Sequence, residues 1–413
     1  MKVFRLCLVF ILGLLWTKAS AQMELSQVQV HGFISQGYMK TTDNNFLTMM
    51  TKDGSFEFNE AAVNFSFKLG AKLKGGVQLF SKDLGREGNH NIILDWGYGD
   101  YRWKDWLGFR LGRIKTPRGF YNETRDIDAL RSTVLLPQSV YDEGMKDPAF
   151  AYQGAGIYGF LPLNGGGDLE YEFFGGTFNV YDSRSGFWDN NFKFLIDGFT
   201  REMPFPAPPV ITVREPFIRG NYIYGSALKW NTPLEGLRVG GSILYAGLDM
   251  QSDVEVLIPT ELITIIQLVP INLEVEVQDH IVYSAEYKYE NLTLAWEKHT
   301  NKYIVREPSF QTNRDYETGG WYAQLTYQLT DWLTVSSYYS DSRDEKKYQP
   351  PEKPDHDYWL IDECLALAFN LTPNWLVKLE GHYMDGTYTL GIRENPEMVQ
   401  YWSMFAVKTS FHF

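Results

Sequence analysis

Polar and apolar side chains alternate with a period of two residues along most of the chain. Near the C-terminus, Trp375, Val377 and Leu379 fall on one side of such a segment, and Lys378 and Glu380 fall on the other. Because successive side chains of a strand point to opposite faces, the alternation predicts strands with one apolar and one polar face. Sixteen segments show it, at about 27–39, 56–69, 70–82, 90–103, 106–116, 152–161, 167–180, 217–230, 236–249, 278–290, 291–304, 318–329, 332–342, 358–370, 375–388 and 401–413.

The connections between these segments alternate between short and long. The short ones are 69–70, 104–105, 162–166, 231–235, 290–291, 330–331 and 371–374, and the long ones include 40–55, 117–151, 181–216, 250–277 and 343–357. A barrel threaded across a membrane has short periplasmic turns and long extracellular loops. The pattern of any single strand would also fit a soluble β-sandwich. A sandwich, however, gives no reason for short connections at one end of the strands and long ones at the other. The pattern therefore predicts an all-β fold, a transmembrane antiparallel β-barrel of about 16 strands.

Aromatic residues make up 16% of the chain and cluster at the predicted strand ends. Those beside the short turns are Trp103, Trp106, Trp230, Tyr289, Tyr327, Trp332 and Trp375. A second group near the opposite ends contains Tyr245, Tyr303, Tyr338, Trp359 and Trp402. Amphipathic rings are enriched at both interfaces of a membrane, so the two groups predict two aromatic girdles.

Both ends of the chain carry signals of export and insertion. Lys2 and Arg5 precede a short apolar stretch, and Ala19-Ser20-Ala21 has the small-residue pattern of a cleavage site. Residues 1–21 are therefore predicted to be a cleaved signal peptide, and residues 22–413 the barrel. The last segment ends in an aromatic residue, Phe413, which is typical of outer-membrane barrels and of their recognition by the barrel-assembly machinery. The expected location is the bacterial outer membrane, in contact with its lipid.

Charge and cysteine content exclude several other classes of protein. The net charge of −13 becomes −16 when the three cations of residues 1–21 are removed, which argues against a nucleic-acid partner. Only Cys364 remains after cleavage, so no disulfide forms within the chain. The sequence has no H-E-x-x-H motif and no Gly-rich phosphate loop after a strand. Glu380 and His382 share a face, but alternation produces that spacing automatically, so we expect no enzyme, no cofactor and no metal.

Residues 56–160 contain several stretches typical of one family. They include Phe58-Asn59-Glu60, residues 78–85, Leu94-Asp95-Trp96, residues 111–117, residues 121–126 and residues 135–141. These stretches resemble the Gram-negative outer-membrane porins, distantly akin to the phosphate-selective porin O/P type. The resemblance covers roughly a quarter of the chain closely. It implies a sixteen-stranded pore that is a homotrimer, but no substrate, because the basic ladders of phosphate channels are not matched by position.

The resemblance also implies that the connection at about 117–151 folds into the barrel, as the third external loop does in these porins. Charges of both signs that face each other across a pore create a transverse field that screens solutes. The candidate constriction residues are Arg113, Lys115, Arg118, Glu123, Arg125, Asp126, Asp128 and Arg131. The apolar run Val134-Leu135-Leu136 is expected to anchor the loop against the wall or a neighbouring subunit. The alternative is a loop that caps the outside with solvated charges.

Charged residues of the predicted strands are expected to face the lumen. An Arg or Lys at the membrane midplane on the lipid side costs about 2–4 kcal/mol, so these positions favour water. The candidate lumen-lining residues are Lys72, Lys74, Lys82, Arg110, Arg219, Lys229, Arg238, Glu286, Glu297, Lys378 and Glu380.

These features predict passive diffusion of small hydrophilic solutes or ions, with no chemical step. One alternative is a channel specific for phosphate or a small organic anion. Another is a structural or adhesive barrel with a plugged lumen, whose loops 181–216 and 250–277 bind a partner through the proline-rich stretch 204–209 and the apolar run 257–270. A third is an embedded lipid hydrolase, for which the spacing of Ser and His residues offers no support.

Overall fold

The computed structural model describes residues 28–146, 151–200, 210–259, 264–308, 311–347 and 355–413. The strands are β1 (Val28–Thr41), β2 (Asn59–Lys68), β3 (Leu73–Asp83), β4 (Ile92–Lys104), β5 (Leu107–Lys115), β6 (Ala151–Pro162), β7 (Asp168–Thr177), β8 (Val210–Asn231), β9 (Leu237–Pro259), β10 (Thr264–Tyr289), β11 (Leu292–Glu307), β12 (Thr312–Thr330), β13 (Leu333–Asp344), β14 (Trp359–Thr372), β15 (Trp375–Gly386) and β16 (Tyr401–His412). Among the described residues, an α-helix, α1 (Gly186–Thr200), lies between β7 and β8. The predicted signal peptide and the proline-rich stretch 204–209 lie outside the described residues.

The sixteen strands form one closed antiparallel barrel, in which each strand pairs with its neighbours in sequence. The ring closes where β1 pairs with β16, from Phe33 opposite His412 to Thr41 opposite Met404. The backbone of Gly32 then exchanges two hydrogen bonds with that of Phe413, of 3.1 and 3.0 Å. Closure removes the free edges that an open sheet would leave unpaired in hydrocarbon. The predicted fold class, a transmembrane β-barrel, is confirmed.

The two faces of the strands differ as the alternation predicts. On β15, Lys378 and Glu380 are buried inside the barrel, whereas Trp375 and Tyr383 are exposed on its outer side. On β16, Phe411 faces outward, and so do the apolar residues at alternate positions on the same face of the strand. The outer side is therefore apolar, as contact with lipid requires, and the inner side carries the charges.

The short-turn end of the barrel carries the predicted aromatic girdle. All seven aromatic residues beside the short turns are exposed on the outer side. The prediction for the opposite end is wrong in three cases, one of which is Tyr303, which packs against a buried cluster on the inner side of the barrel. Tyr338 and Trp402 are buried inside the barrel, because their strands present them on the inward side of the alternation. Distance from a turn sets the height of a ring along the barrel, but the register decides which face it occupies.

The connections predicted to be short are short in the structure. Those predicted to be long, at the opposite end of the barrel, differ in part from the prediction. Residues 105–106, 290–291, 331–332 and 373–374 join strands as tight turns. The long loop predicted at 250–277 is wrong, since β9 continues to Pro259 and β10 starts at Thr264. Pairing continues along this run, from Thr264 opposite Pro259 down to Tyr287 opposite Leu237. A run rich in Val and Ile favours strand, and it extends the hairpin beyond the neighbouring strands.

The predicted loop 181–216 contains α1 and the first residues of β8. Trp188 and Phe192 of α1 are buried against Met250 and Val254 of β9 and Leu273 of β10. Met250 and Val254 lie on the same face of β9 as Ala246, which packs against inward residues of β5 and β6. The helix therefore packs on the inner side of the extended strands.

Polar contacts fix α1 to the loops on the other side of the barrel mouth. Asp189 forms an ion pair of 2.8 Å with Arg86, in the connection between β3 and β4. Asn190 donates a hydrogen bond of 2.9 Å to Glu394, between β15 and β16. Among the described residues, no helix has the length and hydropathy of a membrane-spanning segment.

The lipid-facing assignment of the outer side is testable at the middle of β14. Leu365 is 58% exposed there. We expect Leu365→Arg to lower the free energy of unfolding by about 2–4 kcal/mol, because the charge meets hydrocarbon. Urea titration of the protein in lipid bilayers measures the change. Leu365→Phe is the matched control and leaves the stability nearly unchanged. Equal stability of the Arg and Phe variants would contradict the assignment.

Candidate pore constriction

Residues 116–146, which follow β5 and are called the inner loop below, contact strands from distant parts of the ring. The backbone N–H of Phe120 donates to Glu297 Oε1 of β11 over 2.8 Å. The carbonyl oxygen of Asp128 accepts a hydrogen bond of 2.8 Å from Lys378 Nζ of β15. A loop that touches β11 and β15 through inward side chains runs across the interior of the barrel.

Glu297 is the centre of the first group of contacts, the β11 anchor. Its side chain is fully buried and accepts hydrogen bonds from the Phe120 N–H (2.8 Å), the Ser284 hydroxyl (2.5 Å) and the Tyr322 hydroxyl (2.7 Å). A buried carboxylate needs donors for its lone pairs, and here one of them comes from the inner loop. The β11 anchor thus ties the start of the inner loop to the wall.

The residues before Phe120 extend the β11 anchor to β9 and β10. Arg118 donates from Nε to His280 Nε2 of β10 over 2.9 Å. Because a guanidinium only donates, the accepting nitrogen of His280 carries no proton. The N–H of Gly119 donates to the Ser242 hydroxyl of β9 over 3.1 Å. Burial lowers the pKa of Arg118 to about 10, and the positive charge of Arg125 adds to that effect.

A cluster of buried charges, the β16 anchor, holds the middle of the inner loop. Asp128 lies 2.6 Å from Arg131, 2.9 Å from Lys408 of β16 and 3.5 Å from Lys378 of β15. Glu60 of β2 shares Lys408 at 2.5 Å. Burial alone would raise the pKa of Asp128, but these cations outweigh burial and hold the pKa well below its usual value. The carboxylate therefore stays ionised, and the loop is bound by charge on three strands.

Further contacts close the inner loop on itself and on β3 and β5. Arg125 donates to Glu143 over 2.6 Å, and this pairing together with Lys146 lowers the pKa of Glu143 although burial acts to raise it. Asp126 accepts a hydrogen bond of 2.6 Å from Gln78 of β3.

The two β5 residues among the constriction candidates behave differently. Lys115 contacts the inner loop, since its Nζ lies 3.1 Å from Asp126 Oδ1 and 2.6 Å from the carbonyl oxygen of Glu123. Arg113 instead donates to the carbonyl oxygen of Asp95 over 2.7 Å and lies over the ring of Tyr181.

Apolar contacts support the same path. Leu136 and Val140 pack with Val282, Ala295 and Tyr322 of the wall. The two preceding residues, Val134 and Leu135, join a buried cluster lined by inward residues of β1, β14, β15 and β16. The apolar run of the inner loop therefore packs against the barrel's own wall. In addition, Glu380 Oε1 accepts a hydrogen bond of 2.6 Å from the N–H of Val134.

Charged side chains along the rest of the inner wall meet partners of opposite sign. The ion pairs are Lys229–Glu123 (3.2 Å), Arg238–Glu286 (2.9 Å), Lys288–Glu286 (3.2 Å), Arg110–Glu172 (3.0 Å), Arg110–Asp100 (3.3 Å) and Lys74–Asp100 (3.7 Å). In several of these pairs the base is more exposed than the acid. The Lys74 side chain is 59% exposed and that of Asp100 is 1% exposed. For Lys288 and Glu286 the fractions are 60% and 3%.

Glu297, Lys378 and Glu380 belong to the contacts of the inner loop described above, and three lumen-lining candidates remain. Lys72 lies exposed in the turn before β3, and Lys82 is buried near the other end of that strand. The assignment of Arg219 to the lumen is wrong. Its neighbour Ile218 packs inside the barrel, so the alternation puts Arg219 on the outer side, where it pairs with Asp249 at 3.0 Å. A bulge between Gly220 and Tyr222 reverses the faces along β8 and hides this outcome from a simple count of alternate positions.

The sequence did not identify several residues of the two anchors. Glu60 and Lys408 lie on strands more than 300 positions apart, and only the closure of β1 on β16 and β2 brings them together. Lys408 lies three positions before the outward Phe411, so alternation predicts that it faces inward. The pattern therefore predicts the face of Lys408 but not its partner. The hydroxyl donor to Glu297 from Tyr322 has no sequence signal, because the same residue type also forms the girdles.

No protein-family model matches the chain, and no curated protein matches it. Solved structures do match over nearly the whole length. The anion-selective porin from Comamonas acidovorans is 11% identical with a TM-score of 0.54, covering 94% of this chain and 99% of that one. The outer-membrane channel DcaP of Acinetobacter baumannii is 8% identical with a TM-score of 0.52, covering 94% and 97%.

A third solved structure is the trimer form of OmpT, an outer-membrane protein of Vibrio cholerae. It is 9% identical with a TM-score of 0.52, covering 94% of this chain and 99% of that one. At this level of identity the likeness is one of fold. The chain thus has the sixteen-stranded barrel fold of outer-membrane porins, in agreement with the resemblance seen in its sequence.

The β11 anchor can be removed with one substitution. We expect Glu297→Ala to leave the Phe120 N–H and the Tyr322 hydroxyl without an acceptor, at about 1–3 kcal/mol for each buried donor. The inner loop then detaches, and trypsin cleaves the folded protein at Arg125 or Arg131 at least ten times faster than in the unchanged protein. Glu170→Gln, at the exposed end of β7, is the control and leaves the cleavage rate unchanged. Equal rates for Glu297→Ala and the unchanged protein would show that Glu297 does not hold the loop.

The low pKa of Asp128 makes the β16 anchor insensitive to mild acid. A carboxylate whose pKa is lowered by folding stabilises fully above its unfolded pKa of about 4, and this is lost only as the pH falls through the lower folded value. We expect the amides of residues 126–134 to show the same protection from hydrogen exchange at pH 5 and pH 7, after correction for intrinsic rates. Asp128→Asn removes the carboxylate that lies 3.5 Å from Lys378 and leaves Glu60 alone beside Lys408, so protection falls at both pH values. A loss of protection at pH 5 in the unchanged protein would contradict the anchor.

Proposed function

We propose that the chain is an outer-membrane porin that lets small hydrophilic solutes or ions diffuse passively, with residues 116–146 narrowing the path. The observation that supports this most directly is the inward position of the charges. Inside a barrel surrounded by lipid, partly exposed charges such as Lys74 and Lys288 require water. A continuous column of such water is a path for solutes.

The proposed narrowing lies beside the place where the inner loop touches the wall formed by β8 and β9. Glu123 of the loop faces Lys229 of β8 at 3.2 Å, and Arg238 of β9 lies over the ring of Phe120. Acidic and basic groups held side by side at the edge of a path produce a local field, which acts on charged and strongly dipolar solutes. The candidate constriction residues can have this role only while the two anchors hold the inner loop in place.

Planar-bilayer recordings test the proposed path. The purified folded protein is expected to give discrete current steps, and liposomes that contain it swell in small sugars faster than in large ones. Detergent extracts from cells that lack the gene are the control. Folded protein without any conductance would overturn the proposal and favour the plugged, structural barrel. That second candidate draws support from α1, which packs inside the mouth and is fixed to loops on both sides of it.

A finer proposal concerns charge selectivity. In the pairs of Lys74, Arg238 and Lys288 the base is the more exposed partner, so the groups that meet the solute are mainly cationic. The matching fold of a porin described as anion-selective is in keeping with this preference. We therefore favour anions as the preferred ions, although the whole chain is acidic.

Reversal potentials in a salt gradient measure this selectivity. We expect anions to carry most of the current, and the double change Arg238→Gln with Lys288→Gln to lower the anion-to-cation permeability ratio at least twofold. Arg219→Gln is the control, because it removes a charge of the same sign from the outer side of the barrel. An unchanged ratio in the double variant would contradict the finer proposal. Block of the current by micromolar phosphate would instead indicate a channel specific for that anion.

We also propose that the mature protein starts at Gln22, inserts into outer-membrane lipid through the assembly machinery that reads Phe413, and forms a homotrimer. The outward position of Phe411 and Phe413 and the trimer form of a structural neighbour support these points. Mass spectrometry of protein from outer membranes tests the N-terminus, and chemical crosslinking tests the trimer.

A further inference from the structure

Three side chains that commonly bind metal ions meet on the inner wall between β14 and β15. Cys364 of β14 lies directly opposite His382 of β15, and Glu380 precedes His382 by two residues on the same face. All three are buried, and their ligand atoms lie within 4.8 Å of one another. We call this group the Cys–Glu–His cluster. No part of the proposed solute path uses it.

One edge of the cluster has the length expected around a tetrahedral zinc ion, and a second edge is a few tenths of an ångström longer than expected. With Zn–S at about 2.3 Å and Zn–N and Zn–O at about 2.0–2.1 Å, tetrahedral angles give about 3.6 Å between sulfur and nitrogen and about 3.3 Å between nitrogen and oxygen. The Cys364 sulfur lies 3.9 Å from His382 Nε2, and Glu380 Oε2 lies 3.3 Å from the same nitrogen. A shift of a few tenths of an ångström at Cys364 brings the first edge to the expected length.

The imidazole of His382 is oriented as a metal ligand requires. Its Nδ1 lies 2.9 Å from Asp362 Oδ1, and the other oxygen of Asp362 accepts a hydrogen bond of 2.8 Å from the Tyr338 hydroxyl. A carboxylate at Nδ1 holds the proton there and leaves Nε2 free to bind a cation, which is the common arrangement of zinc-binding histidines. Nε2 of His382 points toward Cys364 and Glu380.

The charge of the cluster also favours a cation. In the described part of the chain, the ion pairs that Asp362 and Glu380 form within 4.0 Å are both with His382. One imidazole cannot balance two buried carboxylates and also act as a neutral ligand. A divalent ion balances the Glu380 carboxylate and a Cys364 thiolate, and the neutral imidazole keeps its Nδ1 proton in a hydrogen bond to Asp362, which also accepts from the Tyr338 hydroxyl. The proton of Cys364 leaves to the solvent when the ion binds.

We propose that Cys364, Glu380 and His382 bind a thiophilic divalent transition-metal ion, zinc being the chemically best match, on the inner wall of the barrel. The three ligands leave a fourth position of the tetrahedron open for water or a solute group. Glu380 uses one oxygen for the ion and the other for the N–H of Val134 in the inner loop. The bound ion and the inner loop therefore share one carboxylate.

The test uses the full chain refolded into detergent with zinc present, because the ligand side chains are buried in the folded barrel. After exhaustive dialysis against a chelator that does not denature the barrel, elemental analysis is expected to find one zinc per chain. Cys364→Ser and His382→Gln are expected to lower the retained zinc at least tenfold. His356→Gln is the matched control, because it removes a histidine from the exposed group formed with Asp355 and Asp357. Zinc below a tenth of an equivalent in the unchanged protein would overturn the proposal, and so would full retention in both ligand variants.

A spectroscopic measurement on the unchanged protein covers the case in which a ligand variant fails to fold. Cobalt loaded in place of zinc is expected to give a thiolate-to-metal charge-transfer band, together with the visible bands of a tetrahedral ion. The chain has two cysteines, Cys7 and Cys364, so Cys7→Ser is expected to retain the full band. A cobalt spectrum without the thiolate band, in protein that migrates as a folded barrel on an unheated SDS gel, would exclude Cys364 as a ligand and overturn the proposal.

Discussion

Backbone hydrogen bonding in hydrocarbon is the constraint on which the rest of this structure depends. No water is present there to satisfy an N–H or C=O group, so a sheet that crosses the membrane has to close. Here the ring closes between β1 and β16, at the two ends of the barrel sequence. Closure fixes one outer and one inner face for every strand. The period of two residues in the sequence, with apolar residues such as Leu365 outside and polar residues such as Lys378 inside, follows from that geometry.

The charges on the inner face then determine how the interior is filled. Each buried charge needs a partner of opposite sign or a set of hydrogen-bond donors. The inner loop supplies many of them, with Asp128 for two lysines of the wall and the Phe120 N–H for Glu297. Its apolar residues pack between these polar contacts. The loop and the wall thus stabilise each other, and the groups left partly exposed, such as Arg238, are those available to a passing solute.

The sequence predicts the features that depend on local alternation and not those that depend on pairing between distant strands. The faces of Glu380 and of Trp375 were predicted because a count of alternate positions decides them. The face of Arg219 was not, because a bulge in β8 shifts that count without any sequence signal. The long hairpin of β9 and β10 is not predicted, since the apolar run that extends it also suits a binding surface in a loop. The pairing of Glu60 with Lys408 depends on ring closure, which brings together residues far apart in sequence.

Accessibility of spin labels to relaxing agents tests the central claim most directly, namely that alternate side chains face water inside and lipid outside. Labels are attached to single cysteines at Lys74 and Arg238 on the inner side and at Leu365 and Phe405 on the outer side, in a Cys364→Ser background. The account predicts that a water-soluble nickel complex relaxes the inner labels and that oxygen, which concentrates in lipid, relaxes the outer ones. Labels at Lys74 and Arg238 that respond to oxygen and not to nickel would contradict a water-filled interior.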